Sequence, residues 1–169
     1  GSATASVSVT TRGDALFEDN ETLSLLLSEG DLVVPSATQG TASVVLRNDD
    51  EPNEVRVRAV QPALLERSVP GVATSFQFEV TRIGDLTAPA TVNIEVVGSG
   101  AFPADAQDFL GGRLPSLRVQ LNAGERSRTF FVEVAQDTLR EPDETFTAVI
   151  RSATGATVSE TQGSATATI

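Results

Sequence analysis

One stretch of this chain occurs twice. Asp137-Thr-Leu-Arg-Glu141-Pro-Asp143-Glu144-Thr-Phe146-Thr-Ala148-Val-Ile150 begins as a knot of acids around a proline, then alternates like a strand with Phe146, Ala148 and Ile150 on one face. Asp14-Ala-Leu-Phe-Glu18-Asp-Asn-Glu21-Thr-Leu23-Ser-Leu25-Leu-Leu27 repeats it 123 residues earlier, with acids at the same spacing. At that offset, without a gap, Thr38-Gln39-Gly40 falls on Thr161-Gln162-Gly163 and Val9 on Val132, and residues 4–46 agree with residues 127–169 at eleven positions. The chain therefore reads as the back half of one module over residues 1–52, with its linker, followed by a nearly complete module over residues 53–169.

Strands can be counted from period-2 alternation and from turn residues. In the first unit, residues 5–12 read as a strand with Val7 and Val9 inward, Thr22 to Leu27 as a second and Thr41 to Arg47 as a third. Asn48-Asp49-Asp50-Glu51-Pro52 closes that unit with a charge run and a proline. In the second unit the alternating sets are Val55, Val57 and Ala59; Phe76, Phe78 and Val80; Val92, Ile94 and Val96; Leu117, Val119 and Leu121; Phe130, Val132 and Val134; Phe146 to Ile150; and Ala165, Ala167 and Ile169. Pro62 to Gly71 reads as a loop or edge crossing, and Ala101 to Gly112 as a long irregular connection. No amphipathic helix pattern of useful length interrupts them. Seven strands in this space predict an all-β fold: an antiparallel, seven-stranded Greek-key (immunoglobulin-like) β-sandwich, preceded by a half module. The only aromatic residues are eight Phe, expected in the core, so the rest of that core must be Val, Leu, Ile and Ala.

The order of four short motifs then supports a family. Phe76-Gln-Phe-Glu-Val-Thr-Arg82, Gln107-Asp108-Phe109, Leu121-Asn-Ala-Gly124-Glu125 and Asp137-x-x-x-Glu141-x-x-Glu144-x-Phe146 together resemble the Calx-beta repeat. The resemblance covers residues 53–169 almost entirely and residues 4–52 as a back half. It implies the fold already counted, and a family met in regulatory domains of sodium/calcium exchangers, in the cytoplasmic part of one integrin subunit and in large bacterial surface proteins. It also implies calcium as cofactor. Carried onto this chain, the family's ligand positions are Glu66, Asp108, Asp137, Glu141 and Glu144 in the second unit. In the first unit Asp14, Glu18 and Glu21 stand at the repeated spacing, with Asp49 and Asp50 as the acids that follow the last strand. A Greek key is expected to bring these connections to one end of the sandwich.

Two departures from the family pattern stand out. Gln136-Asp137 and Gly13-Asp14 replace the consecutive acids seen in calcium-binding members, and residues 53–169 stop short of the place the family's acidic triplet takes. Calcium suits such a cluster because it is a hard ion taking six to eight oxygens, and because an ion relieves the mutual repulsion of crowded carboxylates. The plain alternative is that the acids are solvated turn formers; that reading is preferred for Asp19 and Asp143, and Asp49 and Asp50 equally suit a soluble linker.

Charge and residue types narrow the function further. Twenty-three acids against twelve Arg give a net charge of −11, which repels phosphate backbones and anionic lipid and favours cations, so neither nucleic acid nor membrane insertion is expected. With no His, Cys, Lys or Tyr, the usual nucleophiles and neutral-pH bases are missing, and no enzyme activity is expected. The opening Gly1-Ser2 reads as an expression scar or the start of an excised piece. Three roles remain open: a non-catalytic tandem spacer or adhesion module of a large surface or secreted protein, stiffened by calcium at module ends; a metal-independent assembly module completed by strands of a neighbouring copy; and a calcium-sensing regulatory domain. The expected partners are neighbouring repeat modules or copies of itself, with the extracellular ligand open, and the expected location is extracellular or the cell surface.

Overall fold

The computed structural model of the chain describes residues 4–30, 34–65, 72–136, 138 and 141–169. It divides into two compact units, Gly1–Asp50 and Glu51–Ile169. All of its regular elements are strands.

The second unit is a sandwich of two four-stranded sheets. Its strands are β3 (Glu54–Ala59), β4 (Ala73–Arg82), β5 (Ala90–Ser99), β6 (Ser116–Leu121), β7 (Ser127–Ala135), β8 (Thr145–Thr154), β9 (Thr157–Val158) and β10 (Ser164–Thr168). One sheet runs β10-β8-β5-β6 and the other β7-β4-β3-β9, with antiparallel ladders except the short parallel β3–β9 pair. Residues beyond β3 leave its sheet: Val60 still bonds to Gln77, but Ala63 bridges Thr168 of the opposite sheet. Pro62 and its neighbours thus make the crossing expected from the sequence.

Alternation decides what is buried. Val55, Phe76, Phe78, Val80, Val132, Val92, Ile94, Phe146 and Ala148 all point between the sheets and are closed to water. Phe146 is the hub, with its ring 5.2 Å from that of Phe76 and 5.4 Å from that of Phe109, both nearly perpendicular. Three Phe residues depart from the core expectation: Phe17, Phe102 and Phe131 are all half exposed or more. For Phe131 the cause is parity, because it follows the buried Phe130 in β7 and so faces the other side of the sheet. Eight strands form among the described residues of this unit, where seven were expected. The additional one, β9, pairs over only two residues and is too short to carry a period.

The first unit contains β1 (Glu21–Leu26) and β2 (Thr41–Leu46), an antiparallel pair. Its geometry reproduces β8 and β10 at the offset found in the sequence. Thr22 faces Val45 as Thr145 faces Thr168, and Leu26 faces Thr41 as Val149 faces Ser164. The amide of Leu27 donates to the Gly40 carbonyl at 2.8 Å, and that of Ile150 to Gly163 at 2.8 Å. The Ser24 and Ser43 hydroxyls meet at 2.9 Å, as do those of Thr147 and Thr166. Even the repeated glycine has one cause: a Cβ would lie 2.8 Å from the Ser36 carbonyl oxygen at Gly40 and 2.7 Å from that of Ser159 at Gly163.

One expected strand is absent. Residues 5–12 form no ladder, and Val7 and Val9 are 71% and 54% exposed. Their copy, β7, is held by β4 along Ala73 to Thr81, whereas the described residues of the first unit contain no equivalent of β4. An alternating segment needs a neighbour to become a strand.

Candidate cation site

At the end of the second unit where β8 begins and β10 stops, two connections are tied together by backbone bonds. Ala135 donates to the carbonyl of Asp108 at 2.8 Å and Leu110 to that of Glu133 at 3.0 Å, so the 101–112 connection is stitched to the end of β7. Thr145 donates to Phe102 and accepts from Ala104, each at 2.9 Å, which fixes the start of β8 beside the same connection. Ile169 donates to the carbonyl of Glu144 at 2.8 Å. Phe109, fully buried against Phe146, anchors Asp108 from one side, and β8 anchors Glu144 from the other.

The result is a convergence of three carboxylates. Asp108, Glu141 and Glu144 each offer an oxygen, and these oxygens all lie within 4.8 Å of one another. Like charges this close cannot all ionise freely. Glu144 bears the cost: partial burial first, then the negative charge of Asp108, a hydrogen bond shared with Asp108, and the charges of Glu141 and Asp105 push its carboxyl from 4.5 up to about 7. Glu144 is thus the carboxyl of the three that holds its proton to the highest pH. Asp108 is held in place by the amide of Asp105, which donates to Oδ2, while the amide of Gln107 donates to Asp105 Oδ1 at 2.7 Å.

Two residues that the sequence reading did not count among the ligands belong to this end. Asp105 adds negative charge to Glu144 from within the same turn. Gln136, at one of the departures from the family pattern, is 7% exposed; its Nε2 donates to Thr74 Oγ1 at 2.6 Å, and its Oε1 has no partner among the described residues. Parity could have found Gln136, since it continues the inward set Phe130, Val132 and Val134.

Of the positions singled out in the second unit, Asp108, Glu141 and Glu144 come together, while Glu66 and Asp137 lie outside the described residues. Asp143 is exposed and is not one of the converging three.

In the first unit Asp14, Glu18, Glu21, Asp49 and Asp50 line one cleft of about 300 Å³, together with Asp19 and the two cations Arg12 and Arg47. Asn48 closes it: its amide donates to Asn20 Oδ1 at 2.9 Å, its Oδ1 accepts from the Glu18 amide at 3.2 Å, and its Nδ2 donates to the Asp50 carbonyl at 2.9 Å. The acidic turn and the acids after β2 thus share one wall. Among the described residues, no three carboxylates here converge as closely as Asp108, Glu141 and Glu144 do.

Comparison with known proteins points the same way in both units. The model of the Calx-beta domain family matches residues 1–50 and again residues 50–169. No curated protein matches the chain. Among solved structures, the chain is similar to CBD12 from CALX1.2, at 21% identity with a TM-score of 0.55, over 69% of this chain and 44% of that one. It is also similar to the calcium binding domain CBD12 of CALX1.1, at 22% identity with a TM-score of 0.52, over 68% of this chain and 44% of that one. The chain thus spans less than half the length of either structure, and at these identities the likeness is one of fold.

Proposed function

Because this chain belongs to the Calx-beta family, we propose that its second unit binds calcium through Asp108, Glu141 and Glu144, and serves as a non-catalytic, ion-stiffened spacer in a large surface or secreted protein. The observation that carries this reading is the convergence of the three carboxylates within 4.8 Å. Three carboxylates can supply up to six oxygens, which approaches a calcium shell, and a divalent ion offsets both the burial and the neighbouring negative charges that raise the Glu144 carboxyl.

Stiffening follows from where the ligands sit. Asp108 belongs to the connection between β5 and β6, Glu141 and Glu144 to the one between β7 and β8, so a bound ion cross-links two connections at one end of the sandwich. The family's calcium-binding members, including a structure named for that activity, support calcium over other cations.

Thermal unfolding tests the proposal. Millimolar calcium should raise the midpoint of the second unit, a chelator should return it, and magnesium should do less, since it resists dehydration. A melting curve that ignores calcium at pH 8 would refute the calcium reading.

A further inference from the structure

Both sheets of the second unit end on the same side. β6 closes one and β7 the other, and the two lie against each other across the sandwich. Parity decides which backbone groups of β7 are used. Arg82 donates to the Arg126 carbonyl at 2.8 Å, so even-numbered residues along this strand turn their backbone groups toward β4. Odd-numbered ones turn them outward, and there Leu110 donates to the Glu133 carbonyl and Ala135 to that of Asp108. Residues 108–110 thus begin a second ladder on the outer edge of β7, around the bridge from Phe109 to Val134. It stops at once, because Gly111 and Gly112 both take positive φ and Gly112 bonds back to Phe109 at 2.9 Å. Ser127, Thr129 and Phe131 are left with outward backbone groups that no strand among the described residues pairs.

Beside that edge lies a groove of about 490 Å³, whose walls include Arg113, Leu117 and Glu133. Leu110, Leu114 and Phe131 also line it and are 62%, 41% and 50% exposed. The charge around it is the reverse of the chain's. Residues 110–128 hold four Arg and one acid, Glu125, in a chain of net charge −11. Glu125 is taken by Arg128 through two bonds of 2.7 Å. Arg113, Arg118 and Arg126 are exposed and have no ion pair among the described residues. The groove's acid, Glu133, is engaged by the Ser75 hydroxyl at 2.7 Å.

An edge of unpaired N–H and C=O groups is completed by another polypeptide backbone, which nucleic acid, lipid and glycan do not supply. The unpaired Arg residues select an acidic one, and pairing β7 with its own copy would bring two such sets of Arg together. We propose that the outer edge of β7 from Ser127 to Phe131 docks an extended, acid-bearing segment of a partner polypeptide. That strand takes the stretch of edge that residues 108–110 leave open, rests apolar side chains on Leu114 and Phe131, and sets carboxylates against Arg113, Arg118 and Arg126. Calcium has no part in this docking, and the experiment is run in chelator so that its failure leaves the calcium reading untouched.

The probe is a capped peptide of about eight residues that alternates glutamate with valine, long enough for an ordinary strand. A counterpart carries lysine in place of glutamate. At about 0.15 M salt, charges beyond roughly 8 Å are screened, so the local Arg residues outweigh the net charge of the chain. Fluorescence anisotropy should show saturable binding of the glutamate peptide, about tenfold or more tighter than the lysine peptide, and amide exchange should slow at Thr129 and Phe131. Combining Arg113→Glu with Arg118→Glu should weaken binding about tenfold or more, whereas Arg12→Glu with Arg47→Glu, an equal charge change in the first unit, should leave it as in the parent. Methylating the peptide nitrogens that face β7 keeps every charge and should abolish binding. The docking site is overturned by absent binding, by preference for the lysine peptide, by the same affinity in both double variants, or by full binding of the methylated peptide. A dimer of the chain alone with Thr129 and Phe131 protected also overturns it, since a second copy would then be the occupant.

Discussion

Replacing Glu144 with glutamine removes one of three converging charges while keeping the side chain's size and its capacity to hydrogen-bond Asp108. In the folded unit the Glu144 carboxyl is pushed from 4.5 to about 7, with burial as the leading cause and Asp108 next. A carboxyl whose folded value is raised binds more protons folded than unfolded, so it lowers stability as pH climbs from about 4.5 through about 7. At about 1.4 kcal/mol per pH unit a dry site would cost roughly 3 kcal/mol. Glu144 is only partly buried, and solvent screening brings the figure to about 1–2 kcal/mol. Glu144→Gln should therefore match the parent at pH 4.5 and exceed it at pH 8, without divalent ions, by about 1–2 kcal/mol, or about 4–8 °C in midpoint for a unit of this size. Calcium should reverse the order, because the parent gains from the ion what the variant has lost. Urea titration at the two pH values, with chelator and then with calcium, reads all four numbers. If the variant is destabilised equally at both pH values in chelator, the carboxylates are not repelling one another, and the electrostatic basis of the site is wrong.

The other expectations concern linkage and packing. Calcium affinity should fall as pH drops from 8 to 6, and calorimetric titration near pH 7 in two buffers of different ionisation heat should show protons released on binding, because Glu144 must give up its shared proton. Phe146→Ala, which empties a hub touching Phe76 and Phe109, should cost about 3–5 kcal/mol in urea unfolding, whereas Phe131→Ala, on the wet face of β7, should stay within about 1 kcal/mol. Arg82→Ala should cost about 2–4 kcal/mol by the same assay, because its fully buried guanidinium donates to the carbonyls of Asp85 and Ala88, which lose that partner.

Much was legible before any coordinates. Period-2 alternation placed nearly every strand and separated Phe130 from Phe131, had the parity been followed through. The duplicated acidic turn announced two copies of one hairpin, and their registers agree residue for residue. A repeat of that kind is readable because each strand pair is specified locally, by its own alternation and by the turn that closes it.

Other features had no local cause. Residues 5–12 carry the pattern of β7 but form no strand, because a ladder needs β4 beside it, and pattern cannot supply a neighbour. The candidate ligands form one list in the sequence, yet only Asp108, Glu141 and Glu144 converge among the described residues. Asp108 and Glu144 lie 36 residues apart and meet because the Ala135 and Thr145 backbone bonds draw two connections together. What the sequence determined alone was most of the strands, their faces and their duplication, all consequences of short-range alternation. Which carboxylates converge was decided by the tertiary fold, since that depends on which distant segments lie side by side.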